Sequence, residues 1–183
     1  FEATLDLAEQ ISVEQLYPTA EDADNNPAKW DPSTKGVTLP PSYKAAMDAY
    51  YEAGFGSIYD NAHIGGMNMP YAIAMASLEF ITAANYSLFM YPGLSHGAME
   101  LIEEYGTPEQ WKLYGEKILT GEWGGTMCLT ESDAGSDVGA LKTKAVKQAD
   151  GTYKITGQKI FISGGENDYY SNMIHPVLAR IEG

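Results

Sequence analysis

Cysteine occurs once in these 183 residues, as Cys128, so no intrachain disulfide can form and a multi-cysteine metal site is excluded. Positive charge is also scarce. Lys and Arg total 11 against 25 Asp and Glu, a net charge of −14, which argues against nucleic acid and anionic membranes as partners. The same field disfavours anionic small molecules at long range. Screening beyond about 8 Å at physiological salt still leaves local donors able to hold a phosphate. No internal repeat or low-complexity tract is present. His63, His96 and His175 are far apart and match no metal-ligand spacing; His63 and His96 read as loop or helix-end residues, and His175 falls in a strand without an evident partner.

Long apolar runs are nearly absent. Tyr71 to Tyr91 is the one stretch of membrane-spanning length, 21 residues with Glu79 as its sole charge. As a helix it covers roughly 30 Å, the thickness of a bilayer core. Ser77, Thr82, Asn85 and Ser87 interrupt it, however, and no Lys or Arg flanks either end. A buried helix within a helical domain is the better reading. Phe1-Glu2-Ala3 carries neither an initiator methionine nor a basic leader, and Val177 to Gly183 stops just after a predicted strand. Both predict an internal piece of a longer polypeptide.

The remaining composition, 44% apolar and 20% charged, is ordinary for a globular chain, and a core burying roughly 70% of the unfolded surface is expected. The first two-thirds reads helical. Leu5, Ala8, Ile11 and Leu16 mark one face of a helix from Phe1 to about Leu16; residues 18–40, rich in Pro, Asp and Asn, predict a long surface loop. A second helix runs from about Ser42 to Ala53 and stops at Gly54. Gly65-Gly66 sits in an irregular connection before the buried helix, which Pro70 opens and Tyr91-Pro92-Gly93 breaks. Another helix follows from about Leu94 to Glu104. Thr107-Pro108-Glu109-Gln110 is a capping box with proline in the first turn, and its helix carries Trp111, Tyr114 and Ile118 on one face before Gly121.

Beyond Gly124-Gly125 the period changes to two. Leu141 to Gln148 places Thr143 and Ala145 on one face and Lys142 and Lys144 on the other; Asp150-Gly151 is a hairpin turn. Tyr153 to Thr156, Lys159 to Ser163 and Met173 to Ile181 read as further strands. In the third quarter, Met127 to Asp137 is a short apolar strand running into a Gly/Ser/Asp loop. Such a loop is most often a plain turn. A calcium loop is a poor fit, because counting from Asp133 the position that needs glutamate is Lys144. Its glycine and successive N–H groups can instead cradle an anion, and an apolar strand beside that cradle suits a flat ring with a pyrophosphate.

Three segments in order, GTPEQWKLYGEKILTGEWGG, MCLTESDAGSD and KITGQKIFISGG, closely resemble the acyl-CoA dehydrogenases, over about Ser42 to Gly183. Tyr91-Pro92-Gly93-Leu94 and the Glu166 to His175 tail are similar to the larger bacterial branch that includes 3-methylmercaptopropionyl-CoA dehydrogenase. The resemblance implies an α+β chain: an N-terminal all-α helical domain, here residues 1–122, then part of a middle antiparallel β-barrel-like domain, residues 123–183, cut before a C-terminal helical domain. It implies FAD as cofactor and an acyl-CoA thioester as substrate, oxidised across its α and β carbons to the 2-enoyl-CoA. By motif position Met127, Leu129 and Thr130 line the flavin, Gly135 and Ser136 lie near the pyrophosphate and CoA, and Phe161, Ile162 and Ser163 form the second flavin segment. Ser136 is the best substrate contact there; Phe89, Met90 and Tyr91 are candidates for the acyl pocket.

Ser132 stands where the family commonly has proline, Phe161 where tryptophan is commoner, and Ser163 where threonine is usual. The period-two reading puts Phe161 and Ser163 on one face. No catalytic residue is nominated: the family's base is a glutamate of the C-terminal domain, beyond Gly183, and Glu131 lies on the strand face away from the flavin. These residues alone are therefore expected to be inactive. The resemblance also implies an electron-transfer flavoprotein as acceptor, a homodimer or homotetramer, and a bacterial cytoplasm or mitochondrial matrix. Two alternatives stay open: an acyl-CoA oxidase on the same fold, and a non-catalytic interaction module derived from it.

Overall fold

The structure, a computed structural model, describes residues 1–182. Helix α1, Glu2–Ile11, buries Ala8 and Ile11 and runs on through a widened π turn, Ser12–Leu16. The expected loop of residues 18–40 is more structured than its composition suggests. It holds α2, Thr19–Asn25, and a two-stranded hairpin of β1, Lys29–Trp30, with β2, Val37–Thr38. Thr19 Oγ1 donates to the Leu16 carbonyl at 2.6 Å, a local bond that Pro- and Asp-rich composition does not reveal. Helix α3, Tyr43–Glu52, buries Tyr43, Ala46, Met47 and Tyr50, and Gly54 at φ 81° turns the chain out of it.

The next break is not where the proline predicted it. Helix α4, Tyr71–Ala84, ends at Asn85, and α5, Tyr86–Tyr105, continues straight through Pro92. Asn85 takes an extended conformation and its Oδ1 accepts from Leu88 N at 3.0 Å, while its Nδ2 donates to Thr19 Oγ1 at 2.8 Å. A buried asparagine that caps one helix and ties down another outweighs the single hydrogen bond that an interior proline removes. No helix among the described residues is long and apolar enough to cross a membrane. The helical core gathers Ala8, Ile11 and Leu16, the buried face of α3, and Ala74, Ile81 and Leu88.

The capping box forms as read. Thr107 Oγ1 accepts from Gln110 N and Gln110 Oε1 accepts from Thr107 N, starting α6, Pro108–Gln110, which passes through a π turn, Trp111–Gly115, into α7, Glu116–Leu119. Thr107→Ala is expected to lower stability by about 1 kcal/mol, measured as the shift of a urea-unfolding midpoint; Thr107→Ser should lose far less.

β3, Gly124–Gly125, pairs in parallel with β6, Met173–Ile174, and lies against α5. A Cβ at Gly125 would sit 2.5 Å from that of Ala98, and Gly125 N donates to Ser95 Oγ at 3.0 Å. A second sheet has the order β5-β4-β7, from β4, Lys144–Lys147, β5, Tyr153–Thr156, and β7, Arg180–Glu182. The hairpin at Asp150-Gly151 makes β4–β5 antiparallel, but β4–β7 is parallel. Thr143 and Ala145 are buried and Lys142 and Lys144 exposed, as the alternation required. A helical part carrying only the β1–β2 hairpin, followed by two sheets, defines an α+β chain. Among the described residues the strands do not close into a barrel.

Two expected strands fail. Met173 to Ile181 is interrupted between β6 and β7, with Val177 bridging Cys128. Residues 159–163 form no strand, because Phe161 adopts φ 58°. That reversal breaks the period of two, so the predicted shared face of Phe161 and Ser163 does not follow.

Candidate cofactor and substrate site

The two segments that the sequence marked, 127–137 and 159–163, lie side by side. Ile160 N donates to the Thr130 carbonyl at 2.9 Å, and Lys159 Nζ donates to the Leu129 carbonyl at 2.8 Å. Met127, Leu129 and Thr130 are half-buried, as is Ile162, whereas Gly135, Ser136 and Ser163 are exposed. Phe161 is 87% exposed, which overturns any reading of it as a core aromatic. Among the described residues nothing accepts from the N–H groups of Gly135 and Ser136 or engages the hydroxyls of Thr130, Ser136 and Ser163.

One buried carboxylate holds this arrangement together. Glu131 accepts from Lys142 N at 2.6 Å, Thr143 N at 2.9 Å and Lys159 Nζ at 2.8 Å. The two side chains are 8% and 10% exposed. The Lys159 ammonium first, then Thr143 and the Lys142 amide, hold the Glu131 carboxyl far below the usual carboxylate range. A carboxylate so stabilised is a poor base. Glu131 thus ties the donor loop to the Lys159 segment, a role the sequence did not disclose: a separation of 28 residues leaves no periodic trace.

Fit to a flavin nucleotide follows from three features. A large aromatic stands in solvent at a backbone angle that disfavours it, and such strain marks sites where a ligand is held. Two backbone N–H groups sit unpaired in a Gly/Ser loop. A Cβ at Gly135 would meet only Thr130 Cγ2, at 3.9 Å, so the protein's own packing does not require glycine there, and its bare backbone leaves room for a ligand to approach closely.

A cavity of about 270 Å³ opens along α5. Phe89 and Met90 line it with Tyr50, Phe55, Leu78, Tyr86 and Leu94. Tyr91 does not. It faces a separate hollow with Tyr43 and Ser87, and its ring lies beside Gly164, next to the Phe161 segment. Helical spacing explains the split: residues one apart point about 100° away from each other.

Tyr59 and His96 form the polar wall of the same cavity. His96 is in the middle of α5, not at a helix end, and its Nε2 lies 2.8 Å from Asp60 Oδ2. Its Nδ1 is 3.2 Å from the Tyr59 hydroxyl and 3.7 Å from Glu100. A carboxylate only accepts, so Nε2 carries its proton toward Asp60, and in the neutral ring Nδ1 accepts from Tyr59. The two nitrogens thus have different partners, the Asp60 carboxylate on Nε2 and the Tyr59 hydroxyl on Nδ1. Burial, then the charges of Glu100 and Asp60, push the Tyr59 phenol above its ordinary value, so it keeps its proton. His96 and Glu100 at i,i+4 were visible in the sequence; Asp60 was not. His175 also has a partner, Thr126 Oγ1 at 2.7 Å.

The chain is thus of α+β class, with a mostly apolar cavity in its helical part and an exposed aromatic beside a donor loop in its sheet part. Two family models match this chain. The acyl-CoA dehydrogenase N-terminal domain matches residues 3–122 and the acyl-CoA dehydrogenase middle domain matches residues 126–180. The chain belongs to the acyl-CoA dehydrogenase family. It is 44% identical over 97% of its length to the broad-specificity linear acyl-CoA dehydrogenase of Mycobacterium tuberculosis, covering 30% of that protein. It is 42% identical over 79% of its length to 3-methylmercaptopropionyl-CoA dehydrogenase of Ruegeria pomeroyi, covering 24% of that one. An acyl-CoA dehydrogenase of Bacillus anthracis solved with FAD superposes with TM-score 0.78 at 23% identity, over 100% of this chain and 29% of its own. The chain therefore spans less than a third of these relatives.

Proposed function

We propose that these residues are the N-terminal helical domain, 1–122, and the first part of the middle domain, 123–183, of an FAD-dependent enzyme that oxidises an acyl-CoA to its 2-enoyl-CoA. The observation that carries this is the exposed, backbone-strained Phe161 held beside Leu129 and Thr130. FAD, when bound, supplies the acceptor for the hydride that leaves the β carbon.

Phe161 and Ile162 offer an apolar wall to the ring, with Met127 and Leu129 beside it. Thr130 and Ser163 supply free hydroxyls to its polar edge. Gly135 and Ser136 present N–H donors to the pyrophosphate, and the Ser136 hydroxyl reaches the CoA portion. Phe89 and Met90 receive the acyl chain; Tyr91 belongs on the flavin side, beside Gly164. Neither buried carboxylate at the site is available to take the α proton, since Glu131 is committed to Lys159 and Asp60 to His96, and Glu100 stands with Tyr59 at the polar wall of the cavity. The base is proposed to lie outside these residues, which then cannot turn over alone. An electron-transfer flavoprotein as acceptor and a homodimeric or homotetrameric enzyme are part of the same proposal.

Phe161→Gly in the full-length protein separates cofactor from core. Glycine fits φ 58° without strain, so the flavin-free protein should melt at the same temperature or higher. Flavin affinity, titrated by fluorescence quenching, should fall about tenfold for the loss of an aromatic contact. Gly135→Ala should behave likewise, with stability within about 0.5 kcal/mol. Unchanged affinity in both variants would remove the assignment.

A further inference from the structure

Resting on the reading that the cavity along α5 takes the acyl chain, its chemistry says how that chain ends. Most of the lining is apolar: Phe55, Leu78, Phe89 and Leu94 present no hydrogen-bonding side-chain atom, Met90 offers only a weak thioether acceptor, and Tyr86 is 63% exposed, its hydroxyl competing with solvent. The Tyr50 hydroxyl is occupied by the Phe55 carbonyl at 3.0 Å. Tyr59 and His96 are different. Tyr59 directs its single proton to His96 Nδ1, at 3.2 Å, or to Glu100, at 3.5 Å. Either way its oxygen keeps a lone pair and has no proton left to give. What Tyr59, as a lining residue, can offer an occupant of the cavity is therefore an acceptor.

We propose that Tyr59, held by His96 and Asp60, forms a hydrogen-bonding end to this cavity that selects acyl chains terminating in a neutral hydroxyl over chains terminating in methyl, and rejects those terminating in carboxylate. A hydroxyl donates to the Tyr59 oxygen. A methyl is tolerated, because Tyr59 and His96 already satisfy each other and no buried polar group is orphaned. The discrimination is therefore that of one net hydrogen bond, about fivefold to tenfold, and not the far larger factors of a site that leaves partners unpaired. A carboxylate can donate nothing, and it meets Asp60, whose side chain is 4% exposed and bonded to the imidazole, and the half-exposed Glu100 beside Tyr59. Asp60 repels the carboxylate with little water to screen the charge, and Glu100 adds a weaker, solvent-screened repulsion.

The test compares three thioesters of equal chain length on the full-length flavin-loaded protein: ω-hydroxyhexanoyl-CoA, hexanoyl-CoA and adipoyl-CoA. The expected kcat/KM for the hydroxy chain exceeds that for hexanoyl-CoA by about fivefold to tenfold, with adipoyl-CoA below both by tenfold or more. Tyr59→Phe should bring the hydroxyl-to-methyl ratio to about one, since the acceptor oxygen is gone. A second readout needs no turnover: the His96 ring-nitrogen NMR signal should move on binding ω-hydroxyhexanoyl-CoA and not on binding hexanoyl-CoA. Equal kcat/KM for the hydroxy and methyl chains, or a preference that survives in Tyr59→Phe, overturns the inference while leaving the acyl-CoA reading intact. Failure of all three thioesters to bind or to bleach the flavin overturns that reading and the inference with it.

Discussion

Glu131→Gln should lower the melting temperature by roughly 10 °C and weaken flavin binding in the same variant. Glutamine still accepts one backbone N–H, but it leaves the Lys159 ammonium, 10% exposed, with the Leu129 carbonyl as its remaining partner. A buried cation without its counter-charge is the expensive state, and it sits where residues 127–130 meet residues 159–163. Lys159→Met exposes the converse fault, a buried carboxylate held by two amides alone. The double variant is the informative one. With both charges removed and the volume kept, it should recover much of the lost melting temperature without recovering the flavin, because the Lys159 tether to Leu129 is gone too. A double variant no better than the worse single variant would show that the pair contributes through something other than mutual neutralisation.

The same pair predicts an acid response with a definite sign. Lys159 holds the folded-state carboxyl of Glu131 below its unfolded value, so its contribution is complete above the ordinary glutamate range, about 4.3. It declines as pH falls below that value and is gone only when pH passes the depressed folded value. The melting-temperature gap between wild type and Glu131→Gln should therefore be constant from about pH 7 to pH 5 and narrow below about pH 4. A gap that widens on acidification contradicts the assignment of the charge.

What was legible in the sequence was local. Thr107 to Gln110 contains every atom of its capping box, and Asp150-Gly151 contains its own turn, so both were readable from neighbours alone. The helix break was misplaced because proline is the louder signal: the Asn85 cap on Leu88 N is local, but what anchors it is Thr19, a partner 66 residues away. The strand at residues 159–163 was misread for a related reason. Its alternation is sound, but Phe161 turns to positive φ where Ile160 and Lys159 are pinned to residues 129–131. The site residues themselves were marked by motif resemblance, and the groups that hold them, Glu131 with Lys159 and Asp60 with His96, were not. Both pairs join segments distant in sequence, and neither leaves a spacing that a single chain can display.

Gly66→Ala should be the most damaging small substitution in the helical part, by about 3 kcal/mol or more. A Cβ at Gly66 would fall 2.2 Å from the Asp60 carbonyl oxygen and 2.4 Å from its carbon, and these are backbone atoms with no side chain to swing aside. That carbonyl is engaged by Asn68 N at 2.9 Å, while Gly66 N donates to the Asn61 carbonyl at 3.0 Å. The loop therefore cannot open without surrendering these hydrogen bonds, each worth about 1 kcal/mol net. The harm should also reach the cavity, since moving Asp60 releases His96 and hence Tyr59. Gly97→Ala is the matched control: a Cβ there meets nothing within 4 Å, and alanine in a helix interior is favoured over glycine by about 1 kcal/mol. Denaturant unfolding of the two variants should thus move in opposite directions, Gly66→Ala down and Gly97→Ala up. If Gly66→Ala unfolds at the wild-type midpoint, then the loop from Asp60 to Asn68 is not packed against its own backbone as described, and the orientation of His96 must have another source.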